Sequence, residues 1–234
     1  MGPTPTIVAS PAGSPGALAG SGIFGAYAAR HPLRGRWLWW SAIGFVVLYL
    51  GAVRTAGGQR LDQAAMLLIS AASGSHTWAD ATLLAVSVGS MLLATGIVVA
   101  ATAVLHGGRH ALIGAVAAGT VVAGAELLKL ALGRPDFLTG ASANSFPSGH
   151  VAAVAGLAVA LMIALPKALR WPVAVLVAAP AVGFTGLATI VLLWHRPSDV
   201  VGSVLLAVMV SALATPLLDR SDHKPRHQVA LIKR

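Results

Sequence analysis

The chain has 234 residues, of which 56% are hydrophobic and 10% charged, and its mean hydropathy is +0.80; that balance excludes a soluble domain of this length and places the chain in a bilayer. Cysteine is absent, which excludes a disulfide framework, a thiol nucleophile and a thiolate metal site. The formal net charge of +9 resides mostly in short segments between apolar runs, a pattern explained by membrane orientation and not by nucleic acid.

Residues Met1 to about Ala29 are rich in Gly, Pro, Ala, Ser and Thr and hold no long apolar core, so residues 1–33 read as a flexible cytoplasmic tail. A first span runs from Trp37 to about Val53, preceded by Arg30, Arg34 and Arg36, with Trp37, Trp39 and Trp40 at the headgroup level. A polar interval with Arg54, Gly57, Gly58, Arg60 and Asp62 follows, and Leu61–Ala72 is expected to be a short helix on or dipping into the interface. Ala81 to about Leu105 is the second span. After the turn His106-Gly107-Gly108-Arg109-His110 comes a third, Ala111 to about Leu132, the two forming a helical hairpin. The loop Gly133 to Pro147 leads to a fourth span, Gly149 to about Leu165. Pro172 to Trp194 and Ser198 to about Leu218 are the fifth and sixth, and residues 219–234 form a basic tail. The expected fold is an all-α membrane protein with a six-helix core over residues 34–218 and both termini on one side.

The side follows from the basic residues. Arg30, Arg34, Arg36, Arg109, Lys167, Arg170, Arg220, Lys224, Arg226, Lys233 and Arg234 fall together, eleven of the sixteen Lys and Arg in the chain. Arg54, Arg60, Lys129, Arg134 and Arg196 fall on the other side. The positive-inside rule then puts the termini in the cytoplasm and the second group outside.

Ionisable residues near membrane depth are costly, and Glu126, Lys129, His150, His195 and Asp199 sit at span ends on that outer face. The turn Pro147-Ser148-Gly149 opens a hydrophobic stretch, so it offers a hydroxyl and free N–H groups at a helix N-terminus, where partial positive charge favours a phosphate oxyanion. His195 and Asp199 are four apart; on a helix they share a face, the carboxylate accepting the imidazole Nδ1–H and leaving Nε2 free to attack. His150, on another element, is placed to act as general acid toward a leaving oxygen. Lys129, an arginine, Ser148 and Gly149 would hold the oxygens on which charge accumulates in phosphoryl transfer. The scheme needs no metal, and surrounding Lys and Arg oppose a divalent cation at two histidines and an aspartate. Glu126 reads as a structural partner of Lys129 three residues on, Asp136 as loop solvation or a substrate-selecting carboxylate, and His76, His106, His110 and Asp80 as interfacial residues.

These residues resemble the membrane branch of the type 2 phosphatidic acid phosphatases, which shares its site with vanadium haloperoxidases. The family pattern is Lys, six residues, Arg-Pro; then Pro-Ser-Gly-His; then Ser-Arg, five residues, His, three residues, Asp. Pro147-Ser148-Gly149-His150 is complete, Lys129 opens the first motif, and His195 and Asp199 end the third. The resemblance implies that His195 is the nucleophile, Asp199 its orienting acid, His150 the acid, and Ser148 and Gly149 phosphate ligands. Two positions depart from the pattern. Asp136-Phe137 stands where Arg-Pro is expected, with Arg134-Pro135 two residues early, and Ala188-Thr189 replaces Ser-Arg. Arg134 and Arg196 are the candidates to replace the missing guanidinium groups, whose bidentate fork Ser or Thr cannot supply.

The expected activity is hydrolysis of a lipid-anchored phosphate or pyrophosphate through a phosphohistidine, with no cofactor. Polyprenyl (pyro)phosphates, polyprenyl-linked sugar phosphates, phosphatidylglycerol phosphate and phosphatidate all suit an outward-facing site in a plasma membrane, and the Ala- and Val-heavy composition suggests a bacterial one. A lipid phosphotransferase using the same site, and a non-catalytic lipid-phosphate binder or transporter, are the alternatives.

Overall fold

The structure is a computed structural model that describes residues 32–138 and 144–219; the two expected tails, 1–33 and 219–234, lie outside these residues apart from residues 32, 33 and 219. Every regular element among the described residues is helical. The helices are α1 (Pro32–Leu48), which continues as a π-helical turn, Tyr49–Val53; α2 (Ala56–Ala72); α3 (Thr77–Ala85); α4 (Val88–His106); α5 (Gly108–Ala131); α6 (Gly149–Ala164); α7 (Lys167–Val173), joined by a π turn, Ala174–Ala178, to α8 (Ala179–Val191); and α9 (Pro197–Asp219).

Five of these stretches are long and apolar enough to cross a bilayer: Gly35–Val53, Val88–His106, Gly108–Ala131, Lys167–Val191 and Pro197–Leu218. The expected fourth span, α6, has only 16 residues, about 24 Å at 1.5 Å per residue, against a hydrocarbon core of about 30 Å. The chain is therefore an all-helical, membrane-embedded protein with five candidate spans and a shorter central helix. Trp37, Trp40 and Trp171 are exposed, as are Leu92, Leu93 and Val104 along α4, which suits side chains facing headgroups and lipid.

Three expected boundaries shift. The second span is broken at Val86-Ser87, because the Ser87 hydroxyl accepts the Ser90 N–H and starts a new helix. The interfacial helix begins at Ala56 instead of Leu61, capped by Thr55, whose hydroxyl accepts the Gly58 N–H. The fifth span starts before Pro172, which lies inside the helix; Pro removes a backbone donor, and the adjacent π turn absorbs the misfit. Its far end stops at Val191, not Trp194, since Leu193 adopts φ 60° and the Trp194 and His195 amides both turn back to the Thr189 carbonyl.

The core packs α1, α5, α6 and α9 through Phe45, Val121, Ala125, Phe146, Ala152 and Val210. Arg109 donates to the Leu217 carbonyl and His106 contacts the Ala164 carbonyl, so the C-termini of α4, α6 and α9 gather at one end with the N-terminus of α5. The motif residues gather at the other. What anchors their loop is Phe146: it is fully buried, with ring centroids 5.2 Å from Phe45 and 5.8 Å from Tyr49. Its ring lies on Gly202 of α9, where a Cβ would stand 2.5 Å from Cε2. Gly202→Ala is therefore expected to cost about 1–3 kcal/mol by overpacking, read as a lower Tm in detergent; an unchanged Tm would show that the ring does not depend on this contact.

Candidate functional site

Pro197 occupies the first position of α9, where its missing N–H costs nothing, and Asp199 reaches back to the turn before it. Asp199 is fully buried and gathers donors from three segments. Its Oδ1 accepts Arg134 Nη2 at 2.7 Å, and its Oδ2 accepts the Ser145 hydroxyl at 2.6 Å and the Arg196 amide at 3.0 Å. His195 Nδ1 lies 3.4 Å from the same oxygen, longer than the usual N–H···O distance of about 2.9–3.0 Å. The bond from the third helical residue to the amide at the cap is half of a capping box. Thus the cap of α9 and the expected histidine partner are one carboxylate. His195 itself lies ahead of α9, so a turn and not a shared helical face brings the pair together.

The Pro147-Ser148-Gly149-His150 turn is stitched to that same helix. The Ser148 amide donates to the Asp199 carbonyl at 3.1 Å, and the Ser203 hydroxyl donates to the carbonyls of Ser148 and Asp199 at 2.8 and 3.0 Å. Ser148 caps α6, its hydroxyl accepting the Val151 N–H. The result sets the His150 and His195 ring centroids 6.4 Å apart, with His150 also 5.6 Å from the Trp194 ring.

Both histidines line a cavity of about 760 Å³ together with Glu126, Lys129 and Gly149. Lys129 Nζ is 2.7 Å from Glu126 Oε1, as expected for residues three apart. This pair lies against Gly149, where a Cβ would sit 2.5 Å from Glu126 Oε1 and 3.1 Å from Lys129 Nζ; only glycine lets the ion pair approach the start of α6 this closely. Away from the charged end the cavity runs between α4, α5 and α6, walled by Met91, Leu92, Ala115, Ala118, Val122 and Leu157.

The structure divides the sequence-derived residues into two shells. His150, His195, Lys129 and Gly149 line the cavity. Asp199, Arg134, Arg196 and Ser148 are behind it. The Arg134 side chain is 4% exposed, and its Nε and Nη1 are buried with no hydrogen-bond partner among the described residues. Arg196 is buried, its Nε donating to Gln63 Oε1 at 3.0 Å. Thr189, where the family pattern has arginine, is fully buried and turns its hydroxyl to the Gly186 carbonyl of its own helix. Asp136 accepts the Leu138 amide in its own loop.

Ser145, Ser203, Asp62 and Gln63 also build the site and carry no motif signal, because each acts through a contact distant in sequence. A charged group left alone in such a buried network is costly. Asp199→Asn, which strands the Arg134 guanidinium, should lower stability by about 3–5 kcal/mol, whereas His195→Ala, which leaves that pair intact, should unfold close to wild type. Thermal unfolding of both in one detergent checks this, and equal stability of the two variants would contradict it.

No curated protein and no solved structure matches the chain. Residues 111–222 match the PAP2 superfamily, and that stretch contains every candidate residue from Lys129 to Asp199. The match and the ordered motifs inside it support a type 2 phosphatidic acid phosphatase-like family.

Proposed function

We propose that the protein is a membrane phosphatase that removes phosphate from a lipid-anchored phosphomonoester or pyrophosphate through a phosphohistidine. The observation that carries this reading is the cavity, in which His150, His195, Lys129 and Glu126 gather at one end of a groove whose other walls are mostly apolar, with Ser87 and Thr95 among them. Along α5 the groove runs from Lys129 to Ala115, about 21 Å at 1.5 Å per residue. A phosphate at the charged end and a hydrocarbon chain along the groove use both halves. Outer-leaflet polyprenyl phosphates and glycerophospholipid phosphates share this chemistry, and an outward-facing site is part of the proposal.

In this scheme the Nδ1–H of His195 points to Asp199, leaving the Nε2 lone pair for phosphorus. As the P–N bond forms, the bond from phosphorus to the lipid oxygen breaks, and His150 gives that oxygen a proton. His150, now neutral, takes a proton from water, whose oxygen displaces His195 and releases phosphate. Lys129 and the start of α6 at Gly149 stabilise the charge on the transferring group. Arg134 and Arg196 form a positive shell behind the nucleophile, and Ser148 caps the helix that carries Gly149 and His150.

The test is phosphate release from a panel of lipid phosphates and pyrophosphates by purified protein in detergent with EDTA. Release lost in His195→Ala, and lowered about 10²–10⁴-fold in His150→Ala, supports the reading. No release without an added hydroxyl acceptor turns it into a phosphotransferase, and lipid phosphate binding that survives His195→Ala without turnover turns it into a binder. A second prediction concerns the groove. Gly119 lines it, and nothing lies within 4 Å of a Cβ built there, so Gly119→Phe should raise KM for a long-chain lipid phosphate far more than for a short water-soluble ester. Equal effects on both substrates would remove the chain from the groove.

A further inference from the structure

α2 carries a polar face that the proposed chemistry does not use. Gln59, Asp62 and Gln63 stand at positions i, i+3 and i+4, which share one side of a helix. Gln59 Nε2 donates to the Val53 carbonyl at 2.8 Å and to the Pro135 carbonyl at 2.7 Å. Asp62 Oδ1 accepts the Ser198 amide at 2.9 Å and Oδ2 accepts the Ser198 hydroxyl at 2.5 Å. Gln63 Oε1 accepts Arg196 Nε at 3.0 Å. One face of one helix therefore grips the residue after Arg134 and the two residues that flank Pro197.

The Asp62 contact satisfies a specific need. The first amides of a helix have no partner within it. In α9 the Arg196 amide is met by Asp199 from within, and the Ser198 amide by Asp62 from another helix. Burial pushes the Asp62 carboxyl pKa up, and the Ser198 bonds oppose that rise. α2 is itself fastened at its far end, where the Ser70 hydroxyl donates to the Val191 carbonyl at 2.7 Å. It spans the distance between the end of α8 and the loop after α5, which are the two attachments of the nucleophile turn and of Arg134.

We propose that Asp62, supported by Gln59 and Gln63, is a positioning residue that sets the His195–Asp199 turn against the Arg134 loop. This rests on the phosphatase reading of the site. Asp62 touches no cavity-lining residue through these bonds, and it acts through Ser198 and the cap of α9. Displacing a nucleophile by about 1 Å costs on the order of 10²-fold in rate, while binding at Lys129 and along the groove is left as it was.

The experiment uses the full chain in detergent and compares Asp62→Ala, Asp62→Asn and Gln63→Ala with wild type by two readouts. The first is kcat and KM for the lipid phosphate turned over best. The expected result is a fall in kcat of about 10²-fold for Asp62→Ala with KM within about threefold, and substantial recovery in Asp62→Asn, whose Oδ1 still accepts the Ser198 amide and whose Nδ2 donates to the Ser198 hydroxyl. An unchanged kcat, or a change confined to KM, overturns the proposal. The second readout is amide hydrogen exchange in peptides covering residues 192–200, against α4 as internal reference. Faster exchange there in Asp62→Ala supports the clamp even if wild type releases no phosphate, a result that would sink only the phosphatase reading; unchanged exchange overturns the clamp whatever the activity. If Asp62→Ala does not fold, Asp62→Asn and Gln63→Ala carry the same comparison, with faster exchange at 192–200 expected in Gln63→Ala.

Discussion

The rest of the structure depends on the burial of the Asp199 carboxylate. A fully buried carboxylate persists only when its oxygens are filled by donors, and here Arg134, Ser145, the Arg196 amide and His195 all converge on it. Each donor comes from a segment that has little regular structure of its own. Satisfying one charge therefore fixes the loop after α5, the approach to α6 and the turn before α9 relative to one another. The histidines face each other across the cavity because the pieces that carry them are tied to this one group and to its backbone carbonyl, which holds the Ser148 amide.

Around that polar knot the bundle is built from small and apolar side chains, which is what lets a short central helix be enclosed. α6 is largely buried while α4 exposes most of its apolar surface, so the cavity between them has a protein wall on one side and a lipid-facing helix on the other. Such a groove joins the charged end to the apolar middle of the bundle. The proposed substrate, a phosphate on a hydrocarbon chain, matches that gradient in polarity. α2 adds a brace from outside the spanning bundle, linking both loops that bear buried arginines.

Much of this was legible from residues alone. The apolar runs gave the helices, because a bilayer demands long stretches without unpaired polar groups, and the four-residue spacing of His195 and Asp199 pointed to their meeting, though a turn and not a helical face brings it about. The Pro147-Ser148-Gly149 turn gave the start of α6. Boundaries failed where a single local bond outweighs hydropathy, as at Ser87, which splits an otherwise continuous apolar run, and at Leu193, whose positive φ ends a helix that hydropathy would extend. The short span of α6 was also illegible, since Leu165 and Pro166 continue or close an apolar pattern without revealing how much bilayer it crosses.

By itself the sequence determined an all-helical membrane protein and named the residues of its candidate site, since periodic hydropathy and the order of Pro147-Ser148-Gly149-His150 and His195-x-x-x-Asp199 need no folding to be read. Only the tertiary structure decided which charges meet. It paired Arg134 with Asp199 and Lys129 with Glu126, set Ser148 behind the cavity wall, and brought Asp62 to Ser198 across a separation of 136 residues. The physical reason is that a hydrogen bond between distant segments is fixed by the packing of whole helices, and no local pattern in the chain encodes where those helices come to rest.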